Sequence, residues 1–487
     1  MLINKLIKEL KDYRLVGTAA RKEITNLEYD SRRVTPQTLF CCIVGEKEDG
    51  HKYAAQAAQK GATALLVNRE LELEGDVLQI IVEDTRAAMA VIAAEFYDHP
   101  SRKMTMIGVT GTNGKTSITY MVDAIARQAG KKTGIIGTIT NRILDEDVHT
   151  ERTTPESVDL QKLLARMVEA GVQWAIMEAS SHSLELKRVH GITFDVGIFT
   201  NLTQDHLDFH KDFEHYREAK KKLFYNSKIA IINGDSNDGP YMAKDLTSPI
   251  FTYGLEENRD YSASHENLAA NGTSYLFSTP VGSTIININI PGQFSVYNSL
   301  AAASACMALG IDIQTVKAGL KNLEHVKGRA ESIYNEEKGY SVMIDYAHTP
   351  DGLENILSSV RGFVKGRLIT AFGCGGDRDK TKRPIMGAAA CKYSDFVIVT
   401  SDNPRTEAPS DIIKDILPGV VNAGCEYVVI ENRREAIKYA IGLAQKDDII
   451  VLAGKGHETY QEINGVKYDF DEKAIAEDFM KEKNSRN

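Results

Sequence analysis

A glycine-rich segment between an apolar strand and a helix is the part of the sequence best suited to bind a nucleotide. Residues 108–117 read GVTGTNGKTS and follow an apolar run that begins at Met104. Glycines let backbone N–H groups approach phosphates closely, and the start of a helix adds a favourable dipole. Lys115 can reach the β- and γ-phosphates, and the Thr116 hydroxyl can bind Mg²⁺. Strict P-loop spacing places a glycine where the chain has Val109, so the segment is a variant, and a glycine-rich turn with a surface lysine is the alternative.

Two further segments carry groups that can bind metal. Glu178 follows an apolar strand at 174–177, at the strand end where open α/β sheets gather ligands. A carboxylate there can hold the Mg²⁺ that Thr116 contacts, although a strand-end Glu is often only a solvated loop residue. Residues 201–210 (NLTQDHLDFH) contain two histidines, one of them His206, and two acids, which can build a metal or phosphate site or cap a helix. Lys220 and the two lysines after it, on a predicted helix, by themselves indicate a solvated charged face.

Composition limits the function classes. The 487 residues exceed one hydrophobic core, so two to four domains are expected, and 43% hydrophobic with 26% charged residues is typical of a globular protein. A net charge of −9 argues against a nucleic-acid binder. No apolar run reaches membrane length, and the amphipathic start at 1–10 lacks the apolar core of a signal peptide. Six cysteines without a CxxC pair predict reduced, mostly buried thiols and a cytoplasmic location.

The elements predicted around these segments form an α/β protein of three domains. Residues 1–101 carry short α/β units, 102–328 predict a central P-loop parallel sheet covered by helices, and 329–487 predict a Rossmann-like doubly wound domain. A helix after residue 114 has an apolar face and ends near Gly130. Antiparallel hairpins are expected at 261–290. Strands are predicted at 104–110, 174–177, 196–199, 229–232, 342–345, 368–372, 396–400, 427–430 and 448–452.

In this order the motifs resemble the Mur ligase family, ATP-dependent enzymes that build the peptidoglycan stem peptide, over essentially the whole chain. The family spaces its glycines as this chain does around Val109. The resemblance implies an amide-forming, ADP-producing ligase with a UDP-sugar-binding domain at 1–101, an ATP-binding domain at 102–328 and an amino-acid-binding domain at 329–487. The motifs are TGTNGKT (110–116), EASSH (178–182), NLTQDH (201–206), GQFSVYNS (292–299), GR (328–329) and DYAH (345–348).

The resemblance also assigns residues to ATP and to two Mg²⁺ ions. Lys220 matches a lysine that the family carbamylates; the added carboxylate offers Mg²⁺ the hard oxygen ligands that an ammonium lacks. The expected metal residues are Thr116, Glu178, His206 and carbamylated Lys220. The expected catalytic residues are Lys115, Lys220, Glu178 and His206. Asn298 and Asp345 are expected to position adenine and ribose, and Arg329 is expected to contact the phosphates. The other expected nucleotide-binding residues form the glycine-rich loop: Gly111, Thr112, Asn113, Gly114, Lys115, Thr116 and Ser117.

Within the family the chain is similar to the branch that adds the third stem residue to UDP-N-acetylmuramoyl-L-Ala-D-Glu. The implied nucleotide-sugar contacts are Ser31, Thr153, Thr154, Ser180 and Arg188, with Leu186 standing where some members have a contacting glutamine. The implied amine pocket consists of Arg378, Asp402, Asn403, Pro404, Arg405, Gly454 and Glu458. A guanidinium such as that of Arg405 can pair bidentately with the distal carboxylate of meso-diaminopimelate, which lysine lacks. Glu458 is expected to bind the neighbouring ammonium.

The expected reaction begins when the D-Glu γ-carboxylate attacks ATP and forms an acyl phosphate, which the amine then converts to an amide. Domain closure is expected to exclude water from that intermediate. A lysine-adding ligase is the nearest alternative, and a folylpolyglutamate-type ligase would not be expected to carry the 402–405 motif. An alternative of a different class is a P-loop switch or motor, which would hydrolyse ATP without the two substrates. The protein is expected to act as a monomer.

Overall fold

The computed structural model describes residues 1–18, 22–45, 48–150, 152–203 and 209–485. The N-terminal sheet has five strands in the order β1-β5-β4-β3-β2, parallel except for β1 at one edge. Asp84 caps α3 by accepting the N–H groups of Arg86 and Ala87, which fixes where that helix begins. The elements are α1 Ile3–Leu6, β1 Tyr13–Val16, β2 Asn26–Glu28, β3 Thr38–Cys41, α2 Ala54–Gln59, β4 Ala62–Val67, β5 Leu78–Val82 and α3 Thr85–Phe96, with short 3₁₀ turns at Gly50–Tyr53 and Pro100–Lys103.

The central sheet has eleven strands in the order β16-β15-β14-β13-β12-β11-β6-β10-β7-β8-β9. Strands β6, β7 and β10 to β14 pair in parallel, whereas β14 to β16 at one end and β7 to β9 at the other pair antiparallel. The strands are β6 Thr105–Thr110, β7 Thr133–Ile136, β8 Asn141–Ile143, β9 Glu146–Val148, β10 Trp174–Glu178, β11 Val196–Phe199, β12 Ala230–Asn233, β13 Ile250–Gly254, β14 Tyr261–Ala269, β15 Gly272–Thr279 and β16 Gly282–Ile288. The helices are α4 Lys115–Gln128, α5 Ser157–Glu169, α6 Ser181–Glu185, α7 Phe213–Tyr225, α8 Gly239–Ala243, α9 Gln293–Ala308 and α10 Ile313–Asn322.

The C-terminal sheet has six strands in the order β17-β18-β22-β19-β20-β21, of which only the edge strand β17 runs antiparallel to its neighbour. A separate hairpin pairs β23 with β24. The strands are β17 Glu331–Asn335, β18 Tyr340–Asp345, β19 Leu368–Phe372, β20 Phe396–Val399, β21 Tyr427–Val429, β22 Ile449–Ala453, β23 Tyr460–Ile463 and β24 Val466–Asp469. The helices are α11 Pro350–Arg361, α12 Lys382–Tyr393, α13 Pro409–Ala423, α14 Arg433–Leu443 and α15 Glu472–Ser485.

Most predicted elements are confirmed. The apolar face of α4 is buried as expected, and the antiparallel hairpins at 261–290 are β14 to β16. The strand at 427–430 is not of the buried type expected, because β21 lies at the sheet edge and exposes Tyr427 and Val429. Each of the three large sheets lies within one predicted domain; the boundaries at 101/102 and 328/329 stay predictions.

The prediction of reduced cysteines is wrong for one pair. Cys391 and Cys425 form a disulfide, with their Cα atoms 5.3 Å apart. Their 34-residue separation carried no signal; packing of α12 against α13 brings them together. The other four cysteines, Cys41, Cys42, Cys306 and Cys374, are buried free thiols, as expected. None of the helices in the described part of the chain combines the length and the apolar character needed to cross a membrane.

Candidate active site

The phosphate-loop strand β6 lies between β10 and β11, and all three run parallel. In the pairing register, Glu178 is opposite Val109 and Phe199 is opposite Thr110. Because parallel strands end at the same edge, the chain leaves β6, β10 and β11 at one place. Glu178 therefore lies beside the glycine-rich loop, and Thr200 lies on its other side.

Two glycines allow the loop to pass close to its neighbours. Gly111 has φ +146°, and a Cβ there would lie 1.8 Å from the Thr200 hydroxyl oxygen. Gly114, at the N-terminus of α4, has φ +89°, and a Cβ there would lie 2.5 Å from the Asn298 side-chain oxygen. Residues that carry a side chain rarely adopt such φ values, and a Cβ at either position would also collide with Thr200 or Asn298. Thr200 Oγ1 donates to the Asn113 carbonyl over 2.6 Å, which holds the loop from the side of β11.

Two lysines converge on the same loop. Lys115 Nζ donates to the carbonyl oxygens of Gly111 and Thr112, both over 2.9 Å. Lys220 on α7 reaches the Gly111 carbonyl from the opposite side over 2.7 Å, and only 1% of the residue is exposed. Lys221 is also buried. The solvated charged face expected from lysine spacing alone is therefore wrong for these two residues, and the role that the resemblance gives Lys220 stays a prediction.

Glu178 is 1% exposed, so it is not the solvated loop residue of the alternative interpretation. Its Oε1 accepts the Thr116 hydroxyl over 3.0 Å and the Thr138 N–H over 2.9 Å, and its Oε2 accepts the Thr138 hydroxyl over 3.0 Å. Arg329 Nη2 donates to Thr116 Oγ1 over 3.2 Å. A buried carboxylate and a hydroxyl next to a phosphate loop are the hard oxygen donors that suit Mg²⁺. The predicted ligand His206 lies outside the described residues.

These side chains line one cavity of about 870 Å³. Asp345 is the last residue of β18 and lines the cavity from the C-terminal sheet, where it accepts the N–H groups of Ala330 and Ala347 over 2.7 and 2.8 Å. Burial raises the pKa of the Asp345 carboxyl, and the nearby Arg329 guanidinium opposes that shift. The predicted site residues that line the cavity are Thr112, Asn113, Gly114, Lys115, Thr116, Ser117, Thr153, Glu178, Ser180, Lys220, Asn298, Arg329 and Asp345.

The predicted nucleotide-sugar residues are only partly gathered there. Thr153 and Ser180 line the cavity, whereas the Thr154 hydroxyl is buried and donates to the Glu178 carbonyl over 2.7 Å. Arg188 donates to the Thr154 carbonyl over 3.1 Å, and its Nε lies 2.9 Å from Glu156 Oε1. Ser31 is outside the cavity, in a turn of the N-terminal domain. The Ser31 carbonyl accepts a hydrogen bond from Lys60 Nζ over 2.9 Å.

The predicted amine residues follow three adjacent strands of the C-terminal sheet. Residues 373–378 follow β19, residues 400–407 follow β20, and residues 454–458 follow β22. Asn403 Nδ2 donates to Glu458 Oε2 over 2.8 Å, and its Oδ1 accepts buried Lys455 Nζ over 3.1 Å. Asn403 therefore joins two of these loops.

Arg405 and Arg378 both lie close to Gly375. A Cβ on Gly375 would be 3.0 Å from Arg405 Nη1 and 3.9 Å from Arg378 Cγ. Arg405 has φ +50°, and its Nη1 donates to the Gly376 carbonyl over 2.7 Å. Its Nε lies 3.4 Å from Glu462 Oε2 on the β23–β24 hairpin. The Arg405 guanidinium and the Arg378 side-chain stem thus lie beside the same glycine, and guanidinium groups suit recognition of a carboxylate.

The same part of the sheet edge carries a buried carboxylate, Asp402, with one oxygen, Oδ2, that accepts no hydrogen bond among the described residues. The nearest cation recorded for it, Arg433 Nη1, is 3.9 Å away. A Cβ on Gly454 would lie 2.4 Å from that same oxygen, so the glycine keeps the space in front of the carboxylate open.

Sequence reasoning missed several residues that hold the site together. Thr138, between β7 and β8, carries no motif. Asp351, in the first turn of α11, accepts Asn113 Nδ2 over 2.7 Å and the Thr203 hydroxyl over 2.8 Å, and so ties the C-terminal sheet to the phosphate loop. Its only signal in the sequence is an acid next to Pro350 at a helix start.

The three sheets and the phosphate loop define a nucleotide-binding α/β protein, and the comparisons identify its family. Family models match at residues 23–97 (Mur ligase family, catalytic domain), 109–306 (Mur ligase middle domain) and 328–456 (Mur ligase, glutamate ligase domain). The chain therefore belongs to the Mur ligase family.

Similar proteins match along nearly the whole chain. UDP-N-acetylmuramoyl-L-alanyl-D-glutamate--2,6-diaminopimelate ligase 1 of Clostridium acetobutylicum is 50% identical over 483 residues, which cover 99% of this chain and 100% of that protein. The corresponding ligase of Clostridioides difficile is 48% identical over 484 residues, 99% of each. Among solved structures, a UDP-N-acetylmuramoyl-L-alanyl-D-glutamate--2,6-diaminopimelate ligase aligns with TM-score 0.71 and 33% identity over 96% of each chain. The MurF ligase of Thermotoga maritima in complex with ADP shares the fold, with TM-score 0.63 and 18% identity over 96% of this chain and 99% of that one.

Proposed function

We propose that the protein ligates meso-diaminopimelate to the D-Glu γ-carboxylate of UDP-N-acetylmuramoyl-L-Ala-D-Glu at the expense of ATP, in peptidoglycan precursor synthesis. The observation that carries the proposal is the convergence of Lys115, Glu178 and Lys220 on one glycine-rich loop. The same cavity contains Thr153 and Ser180, which the resemblance assigns to the nucleotide-sugar substrate. Relatives that are 48% and 50% identical over their full length bear the name of this reaction.

The reaction needs an activated carboxylate because a free one would have to expel oxide. A γ-carboxylate oxygen bonds to the γ-phosphorus of ATP while the bond to the ADP oxygen breaks, which yields an acyl phosphate and ADP. The amine then bonds to the carbonyl carbon and loses a proton, and inorganic phosphate leaves. Lys115 and Arg329 offset the charge of the two anions that must meet.

Thr116, Glu178, His206 and a carbamylated Lys220 would hold two Mg²⁺ ions. When bound there, the ions would neutralise phosphate charge. Two observations support this proposal: Glu178 and Thr116 offer oxygen ligands beside the loop, and Lys220 is buried against the loop. If the carbamate supplies a metal ligand, the Lys220→Ala variant loses ligation and added acetate restores part of it; no recovery with acetate would argue against the carbamate.

In this proposal Asn298 and Asp345 position adenine and ribose, and Arg329 contacts the phosphates. Thr153 and Ser180 bind the muramoyl dipeptide directly. Since the Thr154 hydroxyl already donates to the Glu178 carbonyl, Thr154 supports the strand end instead of offering a free donor. Ser31 and Arg188 complete the nucleotide-sugar site, and Gly111 supplies backbone to the phosphate loop.

At the amine pocket, Arg405 and Arg378 bind the distal carboxylate, and Glu458 binds the ammonium next to it. The Asp402 Oδ2 atom, buried and without a hydrogen bond, offers a second acceptor for that ammonium. Asn403, Pro404 and Gly454 shape the pocket between these charges. Lysine has no distal carboxylate and would leave both guanidinium groups without that ligand partner.

The test measures ADP release with UDP-N-acetylmuramoyl-L-Ala-D-Glu and a panel of amino acids. We expect release to depend on both the nucleotide sugar and meso-diaminopimelate, with a matching gain of amide product by mass spectrometry. Faster turnover with L-lysine would instead identify a lysine-adding ligase. ATP hydrolysis that needs neither substrate would indicate a P-loop switch.

Location, oligomeric state and domain boundaries remain proposals: a cytoplasmic monomer with domains at 1–101, 102–328 and 329–487. The disulfide between Cys391 and Cys425 weakens the cytoplasmic argument, because such bonds are rare in that compartment. Cell fractionation and sedimentation of the purified protein test the first two proposals.

A further inference from the structure

Beneath the amine pocket lies a charged pair that neither the motifs nor the proposed reaction uses. Arg383, the second residue of α12, is 0% exposed. Its Nη2 and Nη1 donate to Glu407 Oε1 and Oε2 over 2.8 and 3.0 Å, a bidentate pair, and Nη1 also donates to Asp415 over 2.8 Å. An arginine removed from water needs carboxylate partners of this kind. The Arg383 Nε alone has no hydrogen-bond partner among the described residues.

Glu407 uses the same carboxylate to hold the loop that follows β19. Its Oε1 accepts the Asp377 N–H over 2.6 Å, and Arg383 Nη2 lies 3.4 Å from the Gly375 carbonyl. The pair therefore fixes residues 375–377 from below. Those residues immediately precede Arg378, one of the two guanidinium groups of the pocket.

Glu407 also belongs to the loop that carries the other guanidinium group. It lies two residues after Arg405, and its N–H donates to the Pro404 carbonyl over 3.0 Å. On the solvent side, the Thr406 hydroxyl donates to Asp377 Oδ1 over 2.7 Å. Between these bonds, Gly376 accepts Arg405 Nη1 and donates its N–H to the Asn403 carbonyl over 2.9 Å. The two loops are thus joined both through Glu407 with buried Arg383 and through exposed Thr406.

We infer that Arg383 and Glu407 are positioning residues for recognition of the amine, because they set the spacing of Arg378 and Arg405. The inference rests on the proposed function. Binding of one carboxylate by two guanidinium groups depends on the distance between them. A displacement of about 1 Å can lower the reaction rate on the order of 10²-fold. Breaking the pair weakens binding of meso-diaminopimelate and leaves the phosphate loop untouched.

The test compares Glu407→Gln with Asp415→Asn in the full-length protein. Both variants remove one carboxylate from the same guanidinium, but the Asp415 side chain, 43% exposed, makes no hydrogen bond to either loop among the described residues. We expect Glu407→Gln to raise KM for meso-diaminopimelate about 10- to 100-fold, with KM for ATP and for the nucleotide sugar unchanged within about twofold. Asp415→Asn should leave all three within about twofold. Thr406→Val, at an exposed residue, loosens the same two loops from outside and should raise only KM for the amine, even if Glu407→Gln fails to fold.

Equal changes in all three KM values, or the same effect in Asp415→Asn, would overturn the inference in favour of a merely structural role. An unchanged amine KM in both Glu407→Gln and Thr406→Val would overturn it as well. A wild-type protein that does not ligate meso-diaminopimelate contradicts the proposed function instead, so the two failures are distinguishable.

Discussion

The two charged sites of the molecule are built in different ways. Around the phosphate loop, strand register and two glycines place the groups, and the loop itself spans only residues 108–117. In the amine pocket, loops after three strands are fastened to one another by side chains such as Asn403 and Glu407. The first site is placed mainly by its backbone, whereas the second depends on side-chain contacts that single substitutions can remove.

The difference matches the ligands proposed for the two sites. A triphosphate is recognised largely through backbone N–H groups and a few cations, so the turn geometry of the loop suffices. An amine with a distal carboxylate must be distinguished from lysine by side chains alone. We therefore expect this specificity to depend also on the residues that hold Arg378 and Arg405 in place, such as Arg383.

The largest expected effect is at the phosphate loop. Lys115→Ala removes the cation that lies on the Gly111 and Thr112 carbonyls, and kcat for amide formation should fall about 10²- to 10³-fold, as for loss of one transition-state charge partner. A coupled assay for ADP measures this. Lys414→Ala, at an exposed lysine on α13, is the control and should retain wild-type turnover. Full activity in Lys115→Ala would contradict the proposed role of the phosphate loop.

The amine pocket should respond in KM instead of kcat. Arg405→Lys keeps the charge but loses the planar fork, and KM for meso-diaminopimelate should rise about 10- to 100-fold, the cost of one or two hydrogen bonds to a charged group. Initial rates with ATP and nucleotide sugar saturating measure it. Arg434→Lys, at an exposed arginine on α14, is the matched control. If Arg405→Lys changed KM for ATP equally, the two sites would not be independent.

A smaller effect is expected where a side chain supports the metal ligand. Thr138→Val removes the hydroxyl that donates to Glu178 Oε2 but keeps the backbone bond to Oε1. Loss of a partner that orients a metal ligand typically weakens metal binding about tenfold or more. Calorimetric titration of ATP at several Mg²⁺ concentrations should show the midpoint shifted upward by about that factor. Thr140→Val, two residues along, should not shift it.

The sequence predicted the first site better than the second, for a physical reason. Apolar runs at 104–110 and 174–177 indicate neighbouring buried strands, and parallel strands deliver their carboxyl ends to one edge. Glu178 and Lys115 could therefore be placed from motif and period. Lys220 could be assigned only through the family resemblance, because three consecutive lysines look solvent-exposed and only tertiary packing buries the first two.

The supporting residues could not be predicted because their partners are distant in sequence. Arg383 and Glu407 are 24 residues apart, and neither belongs to a periodic pattern. Strands β8 and β9 were missed because each has three residues and is largely polar. The disulfide was missed because only the packing of α12 against α13 brings its sulfurs together.

The smallest expected effect concerns stability at low pH. The hydrogen bond from Arg383 lowers the pKa of the Glu407 carboxyl from 4.5 to about 2, although 16% of the Glu407 side chain is exposed. A carboxyl whose pKa is lower in the folded state stabilises that state above pH 4.5, and the contribution disappears as pH falls towards 2. Urea unfolding at pH 7 should show Glu407→Gln less stable than wild type by roughly 1–2 kcal/mol, after allowance for solvent screening. At pH 3 that difference should shrink by more than half, while Asp411→Asn, at an exposed carboxylate on α13, should show little difference at either pH. A Glu407→Gln penalty that stays constant between pH 7 and pH 3 would mean that packing, not charge, holds the two amine loops together.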